Sequence, residues 1–133
     1  MTNISAYDII NISRGDISFA EQKGVWFMPN PALTEAVYYI LLSLIEPLHG
    51  YGIIQKVEQL SNGRVRLAAG TLYGAINTLL EKGWIYALPD IKDSRNKKEY
   101  QITDLGKEAL KDEIIRLSEL LENGSRIMGG NEQ

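Results

Sequence analysis

The sequence predicts a mainly helical α+β domain: three short helices, a two-stranded β-hairpin with a polar tip, and one long terminal helix. Three observations carry the prediction. Apolar residues recur at helical spacing in three stretches, punctuated by Pro47 and by Asn62-Gly63. Two alternating runs follow, Trp84 to Leu88 and Lys98 to Thr103, joined by the turn-rich loop from Pro89 to Lys97. After Thr103-Asp104, Leu110, Ile114, Leu117 and Leu121 step by four, three and four, the seam of a helix that pairs along its length with another helix.

Residues 1–30 read as an N-terminal arm. Ile4, Tyr7 and Ile10 hint at helical spacing that Gly15 and Gly24 interrupt, and Val25-Trp26-Phe27-Met28 is too apolar to be left in water. The arm packs on the body or on a partner subunit; the competing reading is a poorly ordered tail. Asn30-Pro31 then supplies an N-cap and a first-turn proline. The helix it opens runs from Pro31 to Ile45, buries Leu33, Val37, Ile40, Leu41 and Leu44, and stops at Pro47. A second helix, Tyr51 to Ser61, buries Ile53, Val57 and Leu60, shows Gln55, Lys56 and Gln59, and ends at Asn62-Gly63. Arg64-Val65-Arg66-Leu67 is a short extended bridge to the third helix.

The third helix, Gly70 to Lys82, divides cleanly at about 100° per residue. Leu72, Ile76 and Leu79 share one side. Gly70, Gly74, Asn77 and Glu81 face the other, with Thr71, Tyr73 and Thr78 on the edges and Gly83 as a left-handed cap. Ordinary surface helices carry long Lys and Glu side chains. Small, polar groups instead let a helix lie close to another surface, and a DNA major groove is wide enough to admit one. The terminal helix starts with Thr103 as N-cap and fades at Asn123-Gly124. The resulting organisation is an arm (1–30), a body of three helices and a hairpin (31–103) whose third helix suits a DNA groove, a terminal helix that pairs with another helix (104–124) and a flexible tail (125–133).

Composition excludes several functions. The chain of 133 residues has no cysteine and one histidine, so disulfides, thiolate chemistry and a His-rich metal site are ruled out. A His-containing triad would rest on His49 alone, with no Gly-x-Ser-x-Gly elbow, and Gly70 to Gly74 lacks the Gly-Lys-Ser/Thr ending of a phosphate loop. The expectation is a protein that is not an enzyme and uses no cofactor or metal. No apolar run is long enough for a membrane span, and the first residues lack the features of a signal peptide, which points to the cytoplasm.

The net charge of −3 conceals an asymmetry. From Arg64 to Lys98, seven bases face three acids, a local +4; from Glu99 to Glu122, three bases face seven acids, a local −4. A concentrated basic face is what meets phosphate, although charge clusters also arise as plain solvated surface.

Helix, helix, helix, hairpin, helix is the order of a winged helix-turn-helix. His49-Gly50-Tyr51, then Gly70-Thr71-Leu72-Tyr73, then Leu79-x-x-x-Gly83-x-Ile85, then Tyr100-x-Ile102-Thr103-x-x-Gly106 follow in order, and together they resemble the PadR family of bacterial transcriptional regulators. The resemblance covers Leu33 to Ile114. It implies a homodimer built through the terminal helix, the third helix in the major groove of double-stranded operator DNA, and the hairpin, or wing, on adjacent DNA. It also implies repression relieved by a small-molecule effector. Relatives that bind flat aromatic compounds between subunits use aromatic side chains of the terminal helix, and the stretch from Asp104 to Asn123 has none. A stacking pocket would need Trp26, Phe27 or Trp84. The arm is longer than the family pattern, so the resemblance says nothing of its role.

On both readings Gly70, Thr71, Tyr73, Gly74 and Asn77 lie at the groove, where Asn pairs with adenine and Thr meets a base edge or a thymine methyl. Tyr73 is equally a half-buried packing residue, and Thr71 equally an N-cap. Arg64, Arg66, Arg95, Lys97 and Lys98 are phosphate contacts, Arg95 also a minor-groove probe. Tyr51, Lys56 and His49 sit at the second helix, where backbone and side chains meet phosphate, His49 equally as a turn residue. Leu110, Ile114, Leu117 and Leu121 form the dimer seam; the competing reading is a seam packed on its own domain. The alternative function is a winged-helix module that binds protein.

Overall fold

The computed structural model describes residues 30–89 and 98–129. Its elements are α1 (Glu35–Ser43), β1 (Leu48–His49), α2 (Gly50–Leu60), α3 (Ala69–Lys82), β2 (Ile85–Ala87), β3 (Glu99–Ile102) and α4 (Asp104–Gly129). This is a winged helix, as the order of elements predicts, with one addition. β3 pairs antiparallel on both sides, giving a sheet of order β1-β3-β2 rather than a two-stranded hairpin. The registers are Leu48↔Tyr100 and His49↔Glu99 on one side, and Ile85↔Ile102, Tyr86↔Gln101 and Ala87↔Tyr100 on the other. A strand of two residues has no alternation to read in sequence.

The body spans Leu33–Leu110. Ile40, Leu41 and Leu44 of α1, Ile53 and Val57 of α2, and Leu72, Ile76 and Leu79 of α3 are buried together with Trp84, Ile85, Tyr100, Ile102, Ala109 and Leu110. Leu33 and Val37 pack at the edge of that core. Leu60, which the spacing places inside, is exposed in the last turn of α2, where no element among the described residues covers it.

Side-chain hydroxyls and glycines set the boundaries. α1 begins later than Asn30-Pro31 suggests: Thr34 is its N-cap, its Oγ1 accepting from the Val37 N–H at 3.1 Å, with Glu35 favourably placed in the first turn. Ser61 Oγ donates to the Val57 carbonyl at 2.8 Å and accepts from the Val65 N–H at 2.9 Å, stitching the end of α2 to the bridge. Asn62 and Gly63 take positive φ there, and Gly83 ends α3 at φ 74°. Thr103 Oγ1 accepts from the Gly106 N–H at 3.0 Å, the expected cap of α4, and donates to the Gly83 carbonyl at 2.6 Å. It thereby joins the end of the third helix to the start of the fourth.

The second unit comprises, among the described residues, 30–32 and 111–129. In it Asn30 Nδ2 donates to Asp112 Oδ2 at 3.1 Å, so the side chain expected to cap the first helix is used elsewhere. Glu113, only 4% exposed, receives Arg116 through Nε at 2.9 Å and Nη2 at 2.6 Å. That hydrogen bonding holds the Arg116 pKa above its ordinary value. α4 runs through Asn123-Gly124, the expected stop, to Gly129. Neither residue forbids helix at a modest propensity cost, and Arg126 Nη1 reaches back to Asn123 Oδ1 at 3.1 Å. The arm through residue 29, the wing tip at 90–97 and the tail from 130 lie outside the described residues.

Candidate nucleic-acid interface

α3 is anchored by Leu72, Ile76 and Leu79, all at most 2% exposed, which turns the opposite face outward. Gly70, Thr71, Gly74, Asn77 and Glu81 are exposed as the periodicity predicts. A Cβ added at Gly70 or Gly74 would meet nothing within 4 Å. The side chains of Thr71 and Asn77 make no hydrogen bond among the described residues. Thr71 is not the N-cap: that position is Ala68, which has no side-chain cap bond. Tyr73 shows the packing half of its double reading, 47% exposed with its hydroxyl pressed against Gly50.

The neighbouring candidates divide. Tyr51, on the first turn of α2, is 65% exposed, and Lys56 is half-buried on the same helix. His49 proves to be the N-cap of α2, its Nδ1 accepting from the Gly52 N–H at 3.1 Å, as well as a residue of β1. Lys98 is exposed at the foot of β3, while Arg95 and Lys97 lie outside the described residues. Lys82 Nζ sits 4.9 Å from the Trp84 ring centroid, a cation–π contact.

The bridge arginines carry partners that periodicity does not reveal. Arg64 Nε lies 2.8 Å from Glu35 Oε2, and Arg66 Nε lies 3.6 Å from Glu58 Oε2. Both pairs are solvent-exposed, so each is worth at most about 1 kcal/mol, and a phosphate oxygen replaces a carboxylate there at little cost. Only the local excess of bases between Arg64 and Lys98 hinted at this chemistry; the acids lie upstream in sequence.

Leu110, the first residue of the expected dimer seam, packs inward. It is 5% exposed and lies in the core of its own domain, where the first turns of α4 pack. Farther along the same stripe Ile114 is half-buried, and Leu117 and Leu121 are exposed, Leu121 at 70%. Leu120, Ile127 and Met128 are exposed beside them. Trp84, one of the three aromatics offered for effector stacking, is buried in the core, and Trp26 and Phe27 fall outside the described residues. Among the described residues no group of His, Cys, Asp or Glu is arranged to hold a metal, and no helix is long and apolar enough to cross a membrane.

The model of the transcriptional regulator PadR-like family matches residues 40–112, more than half of the chain. The protein belongs to the PadR-like family. Its matched span runs from within α1 into α4 and includes the whole sheet. A PadR family transcriptional regulator from Eggerthella lenta superposes with a TM-score of 0.60 at 22% identity, covering 93% of this chain and 96% of that one. Bacillus subtilis PadR in complex with operator DNA gives a TM-score of 0.51 at 25% identity, covering 60% of this chain and 46% of that one. An uncharacterized protein from Lysinibacillus sphaericus is 32% identical over 96 residues, 70% of this chain and 88% of the relative.

Proposed function

We propose that this PadR-like regulator is a homodimer that binds operator DNA sequence-specifically and represses by occupying it. One observation carries the reading. Gly70 and Gly74 occupy the outer face of α3, where nothing among the described residues requires a glycine, and glycine costs a helix interior about 1 kcal/mol relative to alanine. Their use is understandable if another surface comes close, and the flanking Thr71 and Asn77 then meet base edges. The relative from Bacillus subtilis was solved with operator DNA, which supports DNA as the partner.

In this reading Arg64, Arg66, Tyr51, Lys56 and Lys98, together with Arg95 and Lys97 of the wing tip, contact phosphate and set the register without reading sequence. A second copy of the chain covers Leu117 and Leu121, with Leu120 beside them, an exposed stripe on α4 that gives a monomer no benefit. Two α3 helices then meet successive major grooves roughly 34 Å apart. An effector releases DNA by changing that separation. No Trp, Tyr or Phe occurs along α4, so such a ligand is not held by aromatic stacking on this helix.

The test is a mobility shift with DNA from upstream of the protein's own gene against a scrambled duplex, for wild type and Lys97→Ala/Lys98→Ala. Wild type should prefer the natural sequence, and the double change should weaken both duplexes alike and flatten the salt dependence. Wild type binding neither duplex would favour the protein-binding module instead. Replacing Leu117 and Leu121 by Glu should leave a monomer in sedimentation. If it stays dimeric, the α4 stripe is not the interface.

A further inference from the structure

His49-Gly50-Tyr51 and Gly70-Thr71-Leu72-Tyr73 are separate in sequence but meet in space. A Cβ placed on Gly50 would collide with the Tyr73 hydroxyl and lie 2.9 Å from Cζ and 3.5 Å from Cε1 of the same ring. Gly50 is buried and opens α2, and its φ is not positive, so the backbone does not demand glycine there. Alanine would in fact suit a helix better. What excludes a side chain at this position is the Tyr73 ring. The contrast with Gly70 and Gly74 on the same helix as Tyr73 is direct: those two meet nothing.

Leu72, Ile76 and Leu79 form a single aliphatic stripe, which fixes how deep α3 sits. Ala75 flanks the stripe at the edge of the core, and a contact on the other flank adds to what sets the roll of the helix. Tyr73 lies on the flank of that stripe. The end of the Tyr73 ring lies against bare backbone at Gly50, so a side chain there would have to displace the ring from its seat. Its surroundings also reach the sheet: the Tyr100 pKa is raised by burial first and by Tyr73 second, and Tyr100 pairs with Leu48 of β1 and Ala87 of β2. The roll of α3 decides whether Thr71, Gly74 and Asn77 point at the groove together.

We propose that Tyr73 is a positioning residue rather than a base reader: its phenol, seated over the bare Cα of Gly50, fixes the roll of α3 against the start of α2, and Gly50 is glycine to admit it. The inference rests on the DNA-binding reading, in which α3 is the recognition helix. It makes Gly50 and Tyr73 one unit, whereas a base-reading Tyr73 would act independently of position 50.

The experiment is a double-mutant cycle on the full-length chain with Gly50→Ala, Tyr73→Ala and the double variant. Each is measured for selectivity (natural upstream duplex over scrambled duplex, by fluorescence anisotropy) and for melting temperature. Gly50→Ala should lower selectivity about tenfold when Tyr73 is present, but should add only about a twofold loss in the Tyr73→Ala background, since the ring that a new methyl would meet is then gone. Binding to the scrambled duplex and its salt slope should persist, which a general loss of folding would not allow. If Gly50→Ala alone fails to fold, recovery of folding in the double variant reports the same coupling. Additive effects in both readouts would overturn the proposal. So would Gly50→Ala matching wild type. If wild type itself shows no selectivity, the DNA-binding reading fails, while the melting cycle still decides whether Tyr73 rests on Gly50.

Discussion

Gly74→Ala separates what the fold needs from what a partner needs. Gly74 lies within α3 in ordinary helical conformation, and a methyl there meets no atom within 4 Å. The substitution therefore adds helix propensity without a clash, a gain of about 0.5–1 kcal/mol. For a domain of this size that raises the melting temperature by about 2–5 °C. On DNA the same methyl stands between the helix and the groove floor and displaces Thr71 and Asn77 from base edges. One lost base contact is worth about 1–3 kcal/mol, so specific affinity should fall at least roughly fivefold. The assay is paired: thermal melting of the free protein, and anisotropy titration of the natural and scrambled duplexes. A variant that is both more stable and less selective fits the account. A variant that melts lower, or binds DNA as selectively as wild type, refutes the claim that Gly74 is kept for an outside surface.

Three other perturbations test separate parts. Thr103→Val removes the cap bond to Gly106 and the bond to the Gly83 carbonyl at nearly constant shape, and should cost about 2 kcal/mol by chemical denaturation, while Thr103→Ser recovers most of it. The Tyr100 phenol is pushed above 10.0, chiefly by burial, which disfavours phenolate in the folded protein. Its contribution to stability is thus fully present below pH 10 and is lost as pH rises through the raised folded value, so Tyr100→Phe should flatten the alkaline fall in stability measured from about pH 9 to 11. Glu35→Gln with Glu58→Gln frees Arg64 and Arg66 from their carboxylates; both duplexes should bind a few-fold tighter at low salt, with stability changed by less than about 1 kcal/mol.

The helix faces were legible because a 3.6-residue period survives in short segments: Leu72, Ile76 and Leu79 are buried and Gly70, Gly74 and Asn77 exposed as that period requires. Local caps were legible where one side chain settles the matter, as at Gly83 and Thr103. What escaped depends on residues far apart in the chain. Asn30 is drawn to Asp112 and leaves capping to Thr34; Glu35 finds Arg64; Tyr73 finds Gly50. Leu110 shares the spacing of Leu117 and Leu121, yet it is buried in its own core and they are exposed. Periodicity assigns a residue to a face without saying what covers that face at each turn.

The most direct test of the central claim is the selectivity of Asn77→Ala. Asn77 is exposed on α3, away from the core stripe, so its truncation should leave folding intact. In an equilibrium competition between natural and scrambled duplexes, the account predicts that Asn77→Ala keeps wild-type melting temperature, scrambled-duplex affinity and salt slope but loses at least roughly fivefold in preference for the natural sequence. An unchanged preference would mean that the outer face of α3 does not read DNA.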